Sequence, residues 1–108
     1  MSLSIAELND QFRRGENPSL GQIVATVGFN ALSEPERAQF IQLIKDFDAF
    51  TKDNDPYGEH DFGAVEYLKT KVFWKIDYYD KSMTMHSPDK SNPEVTVRVM
   101  TIMLASEY

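Results

Sequence analysis

Cysteine is absent, so neither a disulfide framework nor thiolate metal ligands can hold this fold together, and a reducing interior suits it. Long apolar runs are absent too. No stretch approaches the roughly twenty residues that span a bilayer, and the N-terminus lacks a charged-then-apolar export signal. We therefore expect a cytoplasmic protein with no membrane contact. Basic residues are few: 11 Lys and Arg against 17 Asp and Glu leave a formal charge of −6. That balance works against gripping a nucleic-acid backbone, where clustered cations must displace counterions. The one adjacent basic pair, Arg13-Arg14, falls at the end of an expected helix, where cations suit the dipole anyway. The chain also has no Gly-x-Ser-x-Gly elbow and no glycine-rich phosphate cradle followed by Lys, so nucleophilic and nucleotide chemistries lack their usual parts.

What is present suffices for one domain over residues 1–108, since 42% hydrophobic and 26% charged residues give both a core and a solvated surface. Ser4 and Glu7 form a capping box ahead of the stripe Ile5, Leu8 and Phe12, which predicts a helix over 4–14. A β-branched run over 22–27, bounded by Gly21 and Gly28, predicts a strand. Ser33-Glu34-Pro35-Glu36 opens a second helix, in which Phe40, Leu43, Ile44, Phe47 and Phe50 share a face. Residues 64–67 and 71–79 read as strands around a tight connection at 68–70. In the longer one Val72, Trp74, Ile76 and Tyr78 face one way and Phe73, Lys75, Asp77 and Tyr79 the other. The polar stretch 80–94 reads as a long ordered connection, and 95–104 as a strand in spite of the helix-like start at Asn92-Pro93-Glu94. The expected fold is α+β, two amphipathic helices packed on a mainly antiparallel four-stranded sheet.

One segment has no structural period. Residues 53–63 hold Asp53, Asp55, Glu59 and Asp61 with His60, Tyr57 and two glycines, on a backbone bent by Asn-Asp-Pro and Tyr-Gly. The segment is not an EF-hand: Tyr57 stands at the fifth place, where a side-chain oxygen belongs, and Ala64 at the twelfth, where a bidentate glutamate belongs. Histidine and carboxylates do suit zinc, manganese or iron, and His60, Asp61 and His86 are the candidate ligands for a divalent metal. Adjacent residues on an extended backbone point to opposite sides, so such a site needs donors from elsewhere in the chain. A carboxylate beside His60 also permits general acid/base work by orienting the imidazole. Against both stands the plainer reading, in which the aspartates cap turns through peptide amides and His60 anchors the loop.

Three strings are familiar together: Asn54 to Gly63 (NDPYGEHDFG), Trp74 to Asp80 (WKIDYYD), and Arg98 to Tyr108 (RVMTIMLASEY). With Ser87-Pro88-Asp89 they make the chain resemble domain-of-unknown-function family 3768, small bacterial proteins. The resemblance implies a bacterial, cytoplasmic, single-domain protein and carries no activity, cofactor or catalytic residue.

The reading that follows is binding rather than catalysis, with no cofactor. The loop 53–63 and the polar segment 77–89 are expected to form one surface for a protein partner, displaying Asp53, Asp55, Tyr57, Glu59, His60, Asp61, Asp77, Tyr79 and Asp80. Arg98 joins them if the last strand pairs beside Lys75 and Asp77. The alternatives are a metal-dependent enzyme built on the His and carboxylate groups, and an acidic protein that imitates the charge of DNA.

Overall fold

The computed structural model describes residues 3–108, so the first two positions of the domain expected over 1–108 lie outside the described residues. The capping box closes as the spacing predicts: Ser4 Oγ accepts from the Glu7 amide at 3.1 Å, and Glu7 Oε1 accepts from the Ser4 amide at 2.9 Å. Helix α1 then runs Ile5–Arg13, burying Leu8 and Phe12. A short 3-10 turn leads into strand β1, Gly21–Ala25. Thr26 caps a four-residue helix α2, Val27–Asn30, where the β-branched run predicts strand as far as Val27. Its hydroxyl competes for the Phe29 amide and turns the chain into a helical turn.

Ser33 caps α3, Glu34–Lys45, with Pro35 in the first turn. The apolar stripe continues to Phe50, but the helix does not. The buried guanidinium of Arg13 donates to the carbonyls of Ile44 and Lys45 at 3.2 and 3.3 Å, satisfying the helix end from outside. Phe47 and Phe50 then reach the core from irregular backbone, meeting the Trp74 ring edge-on at 5.7 and 6.1 Å.

Strands β2, Phe62–Tyr67, and β3, Thr70–Tyr79, form an antiparallel hairpin, and β4, Val97–Leu104, pairs antiparallel to β3. The last run is therefore a strand, as its β-branched alternation predicts. Asn92 makes a local turn there rather than starting a helix, its side chain accepting from the Glu94 amide. The fold is α+β and the sheet four-stranded, as expected, but the sheet is mixed. Its order is β1-β4-β3-β2, and β1 lies parallel to β4. The two-residue connection Leu68-Lys69 joins β2 to β3 locally, whereas β1 and β4 meet across most of the chain, and their relative direction follows from the route through α2, α3 and the hairpin.

The helices cover one face of the sheet. Val72, Trp74, Ile76, Met100 and Ile102 face them and join Leu8, Phe12, Phe40 and Ile44 in the core. Gly63 lies against the Trp74 indole so closely that a Cβ there would stand 2.6 Å from Nε1. The opposite face carries Phe73, Lys75, Asp77 and Tyr79, which sit across from Met103, Thr101, Val99 and Val97. Among the described residues no α-helix covers that face. Among the described residues no helix is long and apolar enough to cross a membrane.

Candidate functional site

Loop 46–61 lies beside α1, and the two are joined by side chains rather than by backbone pairing. Asp55 turns inward, with a side chain only 6% exposed, and its carboxylate accepts from the amides of Glu59 at 3.0 Å and His60 at 3.2 Å. These bonds hold His60 at φ +57°, a left-handed conformation that a residue with a Cβ seldom adopts. The imidazole stacks flat on Phe50, ring centroids 3.9 Å apart at 2°. Its Nδ1 stands 3.0 Å from Asp10 Oδ1 and its Nε2 3.8 Å from Asp55 Oδ2. Nδ1 is thus paired with a carboxylate, whereas Nε2 lies beyond hydrogen-bond distance of Asp55.

Asp10 is itself held by Arg13 at 2.8 Å. One turn back, Asn9 is fully buried and links three elements. Its Nδ2 donates to the Glu59 carbonyl at 2.9 Å and to the Tyr78 hydroxyl at 2.7 Å, and its Oδ1 accepts from Arg98 Nε at 2.7 Å. Arg98 also donates to the Lys90 carbonyl at 2.7 Å and lies over the Tyr78 ring, and among the described residues no carboxylate pairs with it. Burial pushes the guanidinium pKa of both Arg98 and Arg13 below the ordinary value and the Tyr78 phenol above its own. Asp61 receives the Tyr78 hydroxyl at 3.4 Å, and burial, then the neighbouring Glu59 and Asp55, raise its carboxyl pKa. Glu59 turns to Lys90 at 2.7 Å.

The expected single surface is therefore two. Of the site residues expected in the loop, only Asp53 and Tyr57 stand freely exposed, whereas Asp55, Glu59, His60 and Asp61 are engaged within the network. Arg98 requires a correction. It is fully buried on the helix-covered side, opposite Tyr78, and does not join Lys75 and Asp77. Strand alternation gives the reason: with Val97, Val99 and Thr101 on the open face, Arg98 falls on the other. Asp80 caps the turn after β3, accepting from the Thr84 amide, which chiefly holds its carboxyl pKa down, and from Ser82 Oγ.

Asp77 and Tyr79 project from the open face. There Lys75, Asp77, Tyr79, Thr101, Met103, Glu107 and Tyr108 line a shallow cleft of about 450 Å³. Lys75 and Asp77 pair at 3.2 Å on its floor. Tyr108 is held edge-on against Phe62 and Phe73 at 5.7 and 5.3 Å. Glu107 anchors that end of the chain, its carboxylate accepting from Thr26 Oγ1 at 2.5 Å and from the Gly28 and Leu104 amides at 2.9 Å. His86 stacks on Tyr79 at this same face, so the two histidines stand on opposite sides of the sheet. His60, Asp61 and His86 are not brought together, and among the described residues no three metal-ligating side chains converge.

Asn9, Asp10, Arg13, Phe50, Tyr78 and Lys90 were not among the sequence-derived site residues. The one available signal was Asn9 and Asp10 bordering the apolar stripe of α1, with Arg13 one turn on; their partners lie some thirty-one to eighty-nine positions away in sequence.

The family model described as Protein of unknown function (DUF3768) matches residues 25–107. No curated protein and no solved structure matches the chain.

Proposed function

Since the chain belongs to the DUF3768 family, whose description assigns no activity, we propose from the site itself that the protein acts by binding a protein partner on the open face of its sheet. The observation that carries this reading is the one-sided helix layer. It leaves Tyr79 and Tyr108 with the Lys75–Asp77 pair around a cleft, floored by the buried Met103, that no described residue fills. Aromatic rings on a rigid strand lose little entropy on docking, and a paired cation and anion beside them set orientation. The loop 53–63 serves in this reading as a clasp between α1 and the sheet. The network gives no separate support to a metal-dependent enzyme, because among the described residues no three metal-ligating side chains converge on His60. Nor does it favour an imitation of DNA, which needs a row of free carboxylates, whereas Asp10, Asp55, Glu59 and Asp77 are each bonded.

Affinity capture from a lysate of the source organism tests the reading with two variants. Asp77→Ala/Tyr79→Ala is expected to lose the partner that wild type retains. Asp53→Ala/Tyr57→Ala, which alters only the exposed part of the loop, is expected to keep it. The opposite pattern would move the binding surface to the loop, and equal recovery by all three would remove both surfaces.

A further inference from the structure

Strand β1 forms one edge of the sheet, and its outer side is bare. The Thr26 amide donates to the Ile102 carbonyl of β4 at 3.0 Å. By alternation the Gln22 and Val24 peptide groups also face β4, and those of Ile23 and Ala25 face outward. β1 pairs with β4 alone, so on that outer side these two amides meet no strand among the described residues. Natural edge strands are protected by charge, proline or a covering element. The sequence Gly-Gln-Ile-Val-Ala has no charge and no proline, and its three central residues are exposed, Ile23 by 55%.

The two ends of this edge are complementary. Beyond Ala25, Val27 projects with 86% of its surface exposed. Beyond Gly21 lies a hollow of about 210 Å³ lined by Phe12, Gly15, Pro18, Gly21, Gln22 and Ile23, chiefly apolar. An apolar knob at one end and an apolar hollow at the other cannot meet within one molecule. They do meet if the strand pairs antiparallel with itself.

We infer that β1 is a dimerisation edge and that its occupant is β1 of a second copy of this chain, related by a two-fold axis through Ile23. In that register Ile23 lies across from Ile23 of the other copy, and Gly21 across from Ala25. Val27 then comes over the other copy's Pro18 to Leu20, at its hollow. The Ile23 pair exchanges both of its hydrogen bonds, and each Ala25 amide reaches the facing Gly21 carbonyl, in a closed, isologous interface where two sheets become one of eight strands. Both open faces remain uncovered, so the inference stands independently of the partner reading.

Sedimentation velocity tests it. The wild type is expected to be dimeric at concentrations of tens of micromolar, and Val27→Asp to weaken the dimer at least about tenfold. Val27 is exposed, and an aspartate at the first position of α2 suits the helix dipole, so the variant folds. Ile23→Lys is expected to act likewise, with an unchanged circular dichroism spectrum. Register is tested through the absence of native cysteine. Gln22→Cys and Val24→Cys copies, mixed and oxidised, are expected to cross-link with each other, because the pairing sets residue 22 directly against 24 at a separation of about 4.5 Å between Cα atoms. Neither variant alone is expected to do so. A wild type that is monomeric at about 200 µM would overturn the inference and leave the edge to a strand of another protein. So would a dimer indifferent to both substitutions, or cross-linking that is equal in the unmixed samples.

Discussion

Asn9 shows how one buried amide can serve several elements at once. It supplies a donor to the loop, a donor to β3 and an acceptor to Arg98 of β4, and among the described residues Arg98 has no carboxylate to replace it. Asn9→Ala should therefore cost about 2–4 kcal/mol, because a buried guanidinium is left short of a partner; urea denaturation reads the loss directly. Asp61 is the opposite case. Its carboxyl pKa is raised by burial and by Glu59 and Asp55, so the native state holds the proton more tightly than the unfolded state does. The charged form then costs stability above the raised pKa, and the cost fades as pH falls below the ordinary carboxylate value. Asp61→Asn should accordingly melt at a higher temperature than wild type at pH 7 and at the same temperature near pH 3. A difference that persists unchanged at acid pH would show that the charge is not its cause. At this scale the sequence was a partial guide. It marked Asp55 and His60 as unusual for a connecting loop, but it could not reveal that their partners come from α1, since nothing local links residue 10 to residue 60.

Among the elements, those with a clear period were the legible ones. The 3.6-residue stripe of α1 and the alternation of β3 and β4 each fixed which side chains face the core, and Val72, Trp74 and Ile76 are buried as that alternation demands. The end of α3 was not legible. Phe47 and Phe50 keep helical spacing after the helix has stopped, because the terminus is set by Arg13, a residue thirty-one positions earlier than Ile44. The same dependence on distant packing makes Gly63 decisive for the hairpin. It lies directly opposite Trp74 across the β2–β3 pair, and the indole occupies the space where a side chain would begin. Gly63→Ala should destabilise by about 1–3 kcal/mol through overpacking, with a changed environment for the single tryptophan. Thermal melts followed by fluorescence report both effects, and an unaltered emission maximum with an unaltered melt would contradict the contact.

For the molecule as a whole, the manner in which α1 is attached matters more than its size. It pairs with no strand. Its polar ties run from Asn9 to Tyr78 and Arg98, from Asp10 to His60, and from Arg13 to the last carbonyls of α3. Its apolar side chains Leu8 and Phe12 are meanwhile part of the core. Such an arrangement was hidden in the sequence for the same reason that the parallel β1–β4 pairing was: both join segments far apart in the chain, where no turn residue or period records the partner. It also constrains the dynamics. If α1 lifted away alone, Arg98 and the end of α3 would lose hydrogen-bond partners in a low-dielectric interior, and the loop would lose the carboxylate facing His60. Detachment of the helix and release of the loop should then be one event. Native-state hydrogen exchange is expected to give the amides of Asn9 to Arg13 and those of Glu59 and His60 the same opening free energy and the same denaturant dependence. Replacement of Asp10 by Asn should lower both sets together. If α1 opened at least about 1 kcal/mol more readily than the loop, the helix would be an appendage to the sheet rather than the element that closes it.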